Sequence, residues 1–323
     1  MPGASAVRAG RYAVIDLGTV TCRMLVADVD ACGALSEIRR EYAIVNLGEG
    51  VDASGRLAAD AIERAARTIS GYLSTLQVID DANGVSSTVV AVATSAARDA
   101  ANKDELISRL AQEGVELRII PGEAEARLSF SGASMDFPGE DLLVVDVGGG
   151  STEIVAGRGG QAPSRSRSFN VGCRRMTERF LKGDPPTADE LQRAEAWVEC
   201  EMAPYFNELR ADGFSWSRLI AVAGTATTVV SVHEAMERYD SAKVHGYEVS
   251  SEVLSSEGDR LAALPLAQRR QVVGLDPDRA PVIVAGFTIL SKVLALAGVD
   301  SYTASETDIL QGVALAAARG EMT

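Results

Sequence analysis

The sequence is poor in the side chains that most often act as nucleophiles or bind transition metals. It has two histidines, His233 and His245, and neither lies in a recognisable motif, so histidine-based catalysis is not expected. Its four cysteines show no CxxC spacing, which argues against a zinc site or a disulfide framework and favours reduced thiols in a cytoplasmic protein. Lysine is also scarce beside arginine, a bias typical of genome composition, so only the placement of an arginine can indicate function.

Features that would indicate a membrane protein or a nucleic-acid-binding protein are missing as well. The N-terminal sequence MPGASAVRAGRY contains no apolar segment of the kind found in a secretory signal. The most apolar stretch, 281–299, carries Ser291 and Lys292 near its middle, which predicts a buried helix rather than a membrane span. A formal charge of −14 excludes the broad basic surface of a general nucleic-acid binder. We therefore expect neither a membrane nor a nucleic acid as partner.

Short β-branched runs alternate with longer amphipathic runs along the chain, which predicts an α/β fold. The predicted strands are 12–16, 24–29, 88–93, 142–146, 153–156 and 219–223. The predicted helices are 58–77, 102–113, 186–209 and 280–297. At the start of the third helix, the sequence TADE (residues 187–190) resembles a capping box.

The chain repeats itself at a shift of 130 residues. VIDLGTVTCRMLV, from Val14, aligns with VVDVGGGSTEIVA, from Val144, and VATSAA, from Val92, aligns with VAGTAT, from Val222, in the same register. Two matches at one shift predict two homologous domains, which we place at residues 1–126 and 127–308, with a C-terminal helix in 309–323 packing back on the first. A cleft between the two domains is then the expected ligand site.

Each repeat places an acidic residue, a glycine turn and a hydroxyl residue between two strands. We call residues 16–21 the first loop and residues 146–151 the second loop. Glycine lets backbone N–H groups approach an anion, and nearby hydroxyls add donors to phosphate oxygens. The carboxylates Asp16 and Asp146 suit a site in which Mg²⁺ lies between carboxylate and phosphate.

The two common nucleotide-binding patterns do not apply to these loops. The sequence has no GxxxxGK[ST], which excludes a Walker A loop. Strand-like residues follow Gly150, at the point where a dinucleotide fingerprint would open a helix.

Two further segments carry candidate chemical groups. Glu125 lies in the first turn of a helix predicted after Pro121 and Gly122. It either complements the helix dipole or, at the domain boundary, acts as general base for a water that attacks phosphorus. Arg98 follows strand 88–93 near a helix start, and it is either a surface arginine or a bidentate phosphate ligand.

With these segments identified, the sequence resembles the exopolyphosphatase and guanosine pentaphosphate phosphohydrolase family of the actin and sugar-kinase superfamily. The likeness extends from about Ala13 to Ala317 and rests on the order and spacing of VIDLGTVTCRMLV, NLGEGVDASGRL, VAVATSAARDAANKDELI, IIPGEAEARLSFSGA, VVDVGGGSTEIV, FNVGCRRMTERF, AVAGTATTV and ASETDILQGVALA. The resemblance implies two ribonuclease-H-like domains with a phosphate-binding cleft, Mg²⁺ as cofactor, hydrolysis of a terminal phosphoanhydride and a homodimer.

The motif positions carry the family's residue roles onto this chain. Glu125 falls at the position of the catalytic base, and the candidate metal or water-orienting carboxylates are Asp146 and Glu153, with Asp16 from the first loop. Arg98, Gly148, Gly149 and Ser151 match the family's phosphate-contacting positions, and the other predicted phosphate ligands are Gly18, Thr19, Thr21, Arg23, Gly150, Gly224 and Thr225. The first loop departs from the usual DxGTNS, because Val20 replaces an asparagine and Thr21 a serine, which predicts weaker phosphate binding. Ala124 also replaces an acidic residue beside Glu125.

We expect a Mg²⁺-dependent exopolyphosphatase that hydrolyses the terminal phosphoanhydride of inorganic polyphosphate. The first alternative is removal of the 5′-terminal phosphate of guanosine pentaphosphate. The lack of a guanine-recognition motif favours polyphosphate as the substrate only slightly. Two alternatives of other classes stay open: phosphotransfer to ADP, and a polyphosphate or alarmone sensor without activity, which Val20 would favour.

A basic segment follows the second loop. Residues 158–182 contain seven basic side chains and one acid, Glu178, in an otherwise acidic chain. This segment is either a solvated hairpin or a strip that guides a phosphate chain into the site. The predicted guiding residues are Arg165, Arg167, Arg174 and Arg175.

Overall fold

The computed structural model describes residues 7–322. These residues divide into two compact units, one formed by residues 7–132 with 309–322 and the other by Ala133–Asp308. The expected boundary at 126/127 lies within a helix, α5 (Gly122–Ala133), and the division falls near the end of that helix.

The first unit is built on a five-stranded sheet. Three antiparallel strands form a meander, and two further strands add parallel to the first of them. In spatial order the strands are β3 (Leu35–Ile44), β2 (Thr21–Val29), β1 (Gly10–Leu17), β4 (Thr88–Ala93) and β5 (Leu117–Ile119). The helices are α1 (Val51–Ser54), α2 (Ala59–Asn83), α3 (Ser95–Asp99), α4 (Lys103–Ala111), α5 and, from the C-terminal segment, α13 (Ile309–Ala318).

The core of the first unit surrounds β1, which is buried from Arg11 to Leu17 because it has strand neighbours on both sides. Helix α2 presents a buried stripe at helical spacing toward β1 and β2, and α13 contacts the same two strands. Gly312 of α13 lies against the backbone of Leu128 in α5, where a Cβ would overlap the Leu128 carbonyl. This glycine therefore allows the two helices to approach closely.

The second unit has a six-stranded sheet and seven helices in Ala133–Asp308. In spatial order the strands are β10 (Glu248–Ser250), β11 (Ser301–Ala304), β9 (Arg218–Val222), β6 (Asp141–Val147), β7 (Thr152–Arg158) and β8 (Arg165–Phe169). The helices are α6 (Cys173–Phe180), α7 (Ala188–Ala211), α8 (Ala223–His233), α9 (Ser241–Val244), α10 (Ser251–Ala262), α11 (Leu266–Arg269) and α12 (Ile283–Ala297).

The two sheets share one topology. Strands β1 to β5 occupy the same positions in the first sheet as β6, β7, β8, β9 and β11 occupy in the second. In each sheet the first three strands are antiparallel and the next two are parallel to the first, while β10 is an addition at the edge of the second sheet. This arrangement confirms the predicted α/β fold with two ribonuclease-H-like units.

Local features of the second unit agree with the sequence analysis, with element boundaries that differ by up to three residues. The capping box is present, because the Glu190 N–H donates to the Thr187 hydroxyl and the Glu190 carboxylate accepts from the Thr187 N–H. Helix α12 is buried along most of its length, as predicted. The predicted strand 219–223 is displaced by one residue from β9, which ends at Val222 because Ala223 adopts a φ of 64° and begins α8. Within residues 7–322, no helix is both long enough and apolar enough to cross a membrane.

Candidate active site

The second loop connects β6 to β7 as a tight turn. The Gly148 N–H donates to the Ser151 carbonyl at 3.0 Å, which closes the turn. Gly172, just before α6, packs against this loop so closely that a Cβ would overlap the backbone of Gly149. The loop and the start of α6 therefore form one packed unit.

Three successive carbonyl groups of the second loop are held from the side of α6. The hydrogen bonds run from Cys173 N–H to Gly148 O (2.9 Å), from Arg174 N–H to Gly149 O (2.8 Å) and from Arg175 Nε to Gly150 O (2.9 Å). In a planar trans peptide, the N–H group points in the direction opposite to the carbonyl. The N–H groups of residues 149–151 therefore point away from α6, where successive amides can bind an anion together.

Two carboxylates flank this loop on adjacent strands. Asp146 on β6 is the register partner of Glu153 on β7, whose partner on β8 is Ser168. Asp146 is 8% exposed and Glu153 is 1% exposed, and the Ser168 hydroxyl donates to Glu153 Oε1 at 2.6 Å. Opposed residues on an antiparallel pair lie on one face of the sheet, with their Cβ atoms ~5 Å apart. Two like unit charges at that separation repel by about 3 kcal/mol at an effective dielectric constant of ~20.

The donor set of this carboxylate pair fits Mg²⁺. Mg²⁺ is usually bound through one or two carboxylates together with substrate phosphates and water, rather than by a cage of protein ligands. No group of three or more His, Cys, Asp and Glu side chains in the described part of the chain is arranged to hold a metal. A cation bound by Asp146 and Glu153 would offset their mutual repulsion and leave coordination positions for phosphate oxygens.

The first loop has the same turn but a different arrangement of charge. The Gly18 N–H donates to the Thr21 carbonyl at 2.8 Å, as its counterpart does in the second loop. Asp16 Oδ2 accepts from Arg23 Nη2 at 2.7 Å and from Nε at 3.2 Å, and these side chains are 7% and 16% exposed. A predicted metal ligand and a predicted phosphate ligand thus neutralise each other, whereas both equivalent positions of the second unit are acidic.

The backbone after β3 holds the carbonyl groups of the first loop. The N–H groups of Val45 and Asn46 both donate to Val20 O at 2.9 Å, and the Gly48 N–H donates to Thr19 O at 2.8 Å. A Cβ on Gly48 would overlap the Thr19 side chain. Val20, which departs from the family pattern, is buried, so its side chain packs in the core.

Glu125 and Arg98, both in the first unit, form an ion pair. Glu125 lies in the first turn of α5 and Arg98 in the last turn of α3. Arg98 Nη1 donates to Glu125 Oε2 at 3.0 Å and to the Ile120 carbonyl at 3.1 Å. The structure thus brings the predicted base into contact with a predicted phosphate ligand, and the guanidinium orients the carboxylate.

The last two predicted phosphate ligands, Gly224 and Thr225, lie in the first turn of α8. The Thr225 hydroxyl is buried and donates to the Val147 carbonyl at 3.2 Å, so it ties α8 to the end of β6. A Cβ on Gly224 would overlap the guanidinium of the buried Arg279, which therefore rests on the Gly224 backbone. The sequence analysis did not identify Arg279 as a residue near this loop. In the sequence, Arg279 is distinguished by its position shortly before the apolar helix α12.

The predicted guiding residues Arg165, Arg167 and Arg174 form ion pairs within the second unit. The contacts are Arg165 with Asp212 (3.2 Å) and the Phe214 ring (5.5 Å), Arg167 with Glu208 (2.8 Å) and the Tyr205 ring (4.3 Å), and Arg174 with Glu178 (3.4 Å). The first two arginines tie β8 to α7 and its C-terminal end, and the carboxylates offset their positive charge. For Arg165 and Arg167, this arrangement favours the solvated hairpin over the guiding strip.

The fold and the site define a protein of ribonuclease-H-like architecture, with a tight glycine turn in each unit and a buried carboxylate pair in the second. Comparison with known proteins specifies the class. The Ppx/GppA phosphatase family matches residues 25–319. Exopolyphosphatase 2 of Mycobacterium tuberculosis is 37% identical to this chain over an alignment 324 positions long, gaps included. The alignment covers 95% of this chain and 98% of that protein.

Solved structures agree with this assignment. An exopolyphosphatase-like protein superposes with a TM-score of 0.85 at 34% identity, covering 98% of this chain and 100% of the other. The Ppx/GppA family member of Aquifex aeolicus superposes with a TM-score of 0.77 at 30% identity, covering 98% and 99% of the two chains. The chain belongs to the Ppx/GppA phosphatase family.

Proposed function

We propose that this protein is an exopolyphosphatase, which hydrolyses the terminal phosphoanhydride of inorganic polyphosphate. The observation that carries the proposal is the 37% identity to the M. tuberculosis exopolyphosphatase 2 over nearly the whole of both chains. The second loop and the carboxylate pair support it, because phosphoryl transfer depends on positioned donors and on cations that offset charge at the phosphate.

In the second unit, the loop amides are the proposed ligands of the terminal phosphoryl group. The N–H groups of residues 149–151 are already oriented before substrate binds, because α6 holds the carbonyl groups of the same loop. Preorganised donors stabilise the charge that develops on the phosphoryl oxygens without a reorganisation cost. Asp146 and Glu153 are the proposed ligands of Mg²⁺, which when bound neutralises charge on phosphate oxygens.

In the first unit, Glu125 is the proposed general base. Its carboxylate accepts a proton from a water whose oxygen forms a bond to the terminal phosphorus. The bridging P–O bond breaks, and its electron pair leaves with the shortened polyphosphate chain as orthophosphate is released. Arg98 holds Glu125 through Nη1, and the five N–H donors of its guanidinium allow it to bind a phosphate oxygen as well.

Glu125→Gln tests this assignment. Glutamine keeps the size of the side chain and an oxygen that can accept from Arg98, but it cannot act as the base. We expect the rate of phosphate release from polyphosphate in the presence of Mg²⁺ to fall about 10³-fold. Glu123→Gln is the matched control, because Glu123 lies exposed in the same first turn and carries the same charge. A rate for Glu125→Gln equal to that of Glu123→Gln would exclude Glu125 as the base.

Hydrolysis of guanosine pentaphosphate is the second candidate, since the family model names GppA proteins beside Ppx proteins. Phosphate release from polyphosphate and from guanosine pentaphosphate, measured at equal concentration, separates the two substrates. ATP formation from polyphosphate and ADP would indicate phosphotransfer. Binding of polyphosphate without release from any substrate would indicate a sensor.

Mg²⁺ dependence, a homodimer and a cytoplasmic location stay predictions. The first rests on the loop carboxylates and the family resemblance, the second on the resemblance, and the third on the cysteine pattern. Phosphate release that stops on chelation and returns with Mg²⁺ would support the first. Light scattering of the purified chain measures its oligomeric state directly.

A further inference from the structure

Arg175 differs from the other predicted guiding arginines in what its side chain contacts. Its Nε donates to the Gly150 carbonyl at 2.9 Å, so it binds the second loop directly. Its backbone N–H also donates to the Gly149 carbonyl at 3.3 Å. Arg175 therefore contacts two consecutive peptide groups of the loop, once through its backbone and once through its side chain.

The first unit shows what the side-chain contact replaces. The equivalent carbonyl there belongs to Val20, and it accepts two backbone N–H groups, from Val45 and Asn46. Both units thus hold the same carbonyl of the loop from one side. The first unit does so with backbone donors, and the second uses the guanidinium of Arg175.

The second loop depends on such a contact because of its composition. Residues 148–150 are three successive glycines, which have the largest backbone freedom of any residue. The hydrogen bond from Arg175 Nε restrains the peptide between Gly150 and Ser151. A rotation would turn the Ser151 N–H away from the direction of the neighbouring N–H groups.

We propose that Arg175 is a positioning residue, which holds the Gly150–Ser151 peptide so that the Ser151 N–H faces the bound phosphate. The inference rests on the proposed phosphate-binding role of the second loop. It differs from the guiding role in a measurable way. A positioning residue affects short and long phosphate chains equally, whereas a guiding charge affects long chains more.

Arg175→Lys tests the proposal, because lysine keeps the positive charge but places a methylene where Nε donates. We expect the Kd for inorganic phosphate, measured by calorimetry, and the KM for tripolyphosphate to rise about tenfold, with the same ratio for long polyphosphate. Arg179→Lys is the matched control on the same helix, since the Arg179 guanidinium lies over the Trp197 ring at 5.3 Å. We expect that variant to bind phosphate like the wild type.

The salt dependence of phosphate binding distinguishes a lost hydrogen bond from a lost long-range attraction. Exposed charges separated by more than the Debye length, about 10 Å at ~0.1 M salt, are largely screened. The ratio between wild type and Arg175→Lys should therefore stay constant as salt rises, because the lost contact is a hydrogen bond within the protein. Thermal unfolding of each variant monitors the fold.

Wild-type affinity in Arg175→Lys, or a loss that disappears at high salt, would overturn the proposal. If the wild type binds phosphate without releasing it from any substrate and Arg175→Lys binds it more weakly, positioning stands and the hydrolase assignment fails. If the wild type does not bind inorganic phosphate, the positioning role fails, whatever the rate of hydrolysis.

Discussion

The two β-hairpins that begin the units have the same backbone and different charges. Each hairpin places an aspartate opposite its register partner across a glycine turn. In the first unit Asp16 faces Arg23, and the two form an ion pair at 2.7 Å. In the second unit Asp146 faces Glu153, so two buried carboxylates lie side by side.

The difference shows how one position can separate structure from function in a duplicated fold. Arg23 and Glu153 lie at equivalent positions, 130 residues apart. An arginine there pairs with the neighbouring aspartate, whereas a glutamate places a second carboxylate beside Asp146, and this is the pair that we propose to bind a cation. Functional sites commonly retain such unfavourable arrangements at the expense of stability. We therefore expect the first hairpin to be important for stability and the second for chemistry.

A substitution that places an arginine opposite the aspartate of the second hairpin, as in the first, should have the largest effect on activity. In Glu153→Arg, the guanidinium would pair with Asp146 and exclude the cation. We expect phosphate release to fall by about 10³-fold, or about 4 kcal/mol of transition-state stabilisation. An unchanged unfolding midpoint would show that the fold is kept. Release within tenfold of the wild-type rate would mean that Glu153 does not serve the reaction through a cation.

Removing one aspartate from each hairpin should lower the stability of the protein only in the first unit. Asp16→Asn deprives the mostly buried Arg23 of this carboxylate, which should cost about 3 kcal/mol of unfolding free energy. Asp146→Asn removes one of two neighbouring negative charges, so the metal-free protein should be equally stable or more stable. Denaturant unfolding with chelator measures both values. Equal destabilisation by the two substitutions would contradict the comparison.

The strand that pairs with each hairpin, β3 in the first unit and β8 in the second, allows a test with a smaller expected effect. Ser168 donates to Glu153, and Tyr42 occupies the register position beside Arg23. Because residues that orient metal ligands contribute 10–100-fold in affinity, Ser168→Ala should raise the Mg²⁺ concentration needed for thermal stabilisation by about tenfold. Tyr42→Phe should leave the Mg²⁺ response unchanged. Identical titrations for wild type and Ser168→Ala would show that this hydrogen bond does not orient a metal ligand.

The strands that the sequence predicted and those that it missed differ in burial or in length. β1, β4 and β6 end in continuous buried runs, and such apolar runs are visible in any sequence window. β3 has no buried residue and carries the sequence EIRREY, so it becomes a strand because β2 pairs with it. β10 and β11 have three and four residues, too few for a periodic pattern.

The candidate site also has parts that the sequence predicted and parts that it missed. Glycine turns with a carboxylate and a hydroxyl are local patterns, so both loops were predictable. The contact between Arg98 and Glu125 joins residues 27 apart, and the one between Arg175 and Gly150 joins residues 25 apart. No local pattern predicts which nitrogen of an arginine meets which oxygen, because that depends on how helices pack on the loops.

The sequence by itself determined the duplicated α/β fold and the two loops, because apolar strands that end in glycine turns are specified residue by residue. Only the tertiary structure decided that Asp16 meets an arginine while Asp146 meets a second acid, and that Arg175 holds the second loop. Antiparallel register and helix packing set those contacts, and both are properties of segments brought together by folding.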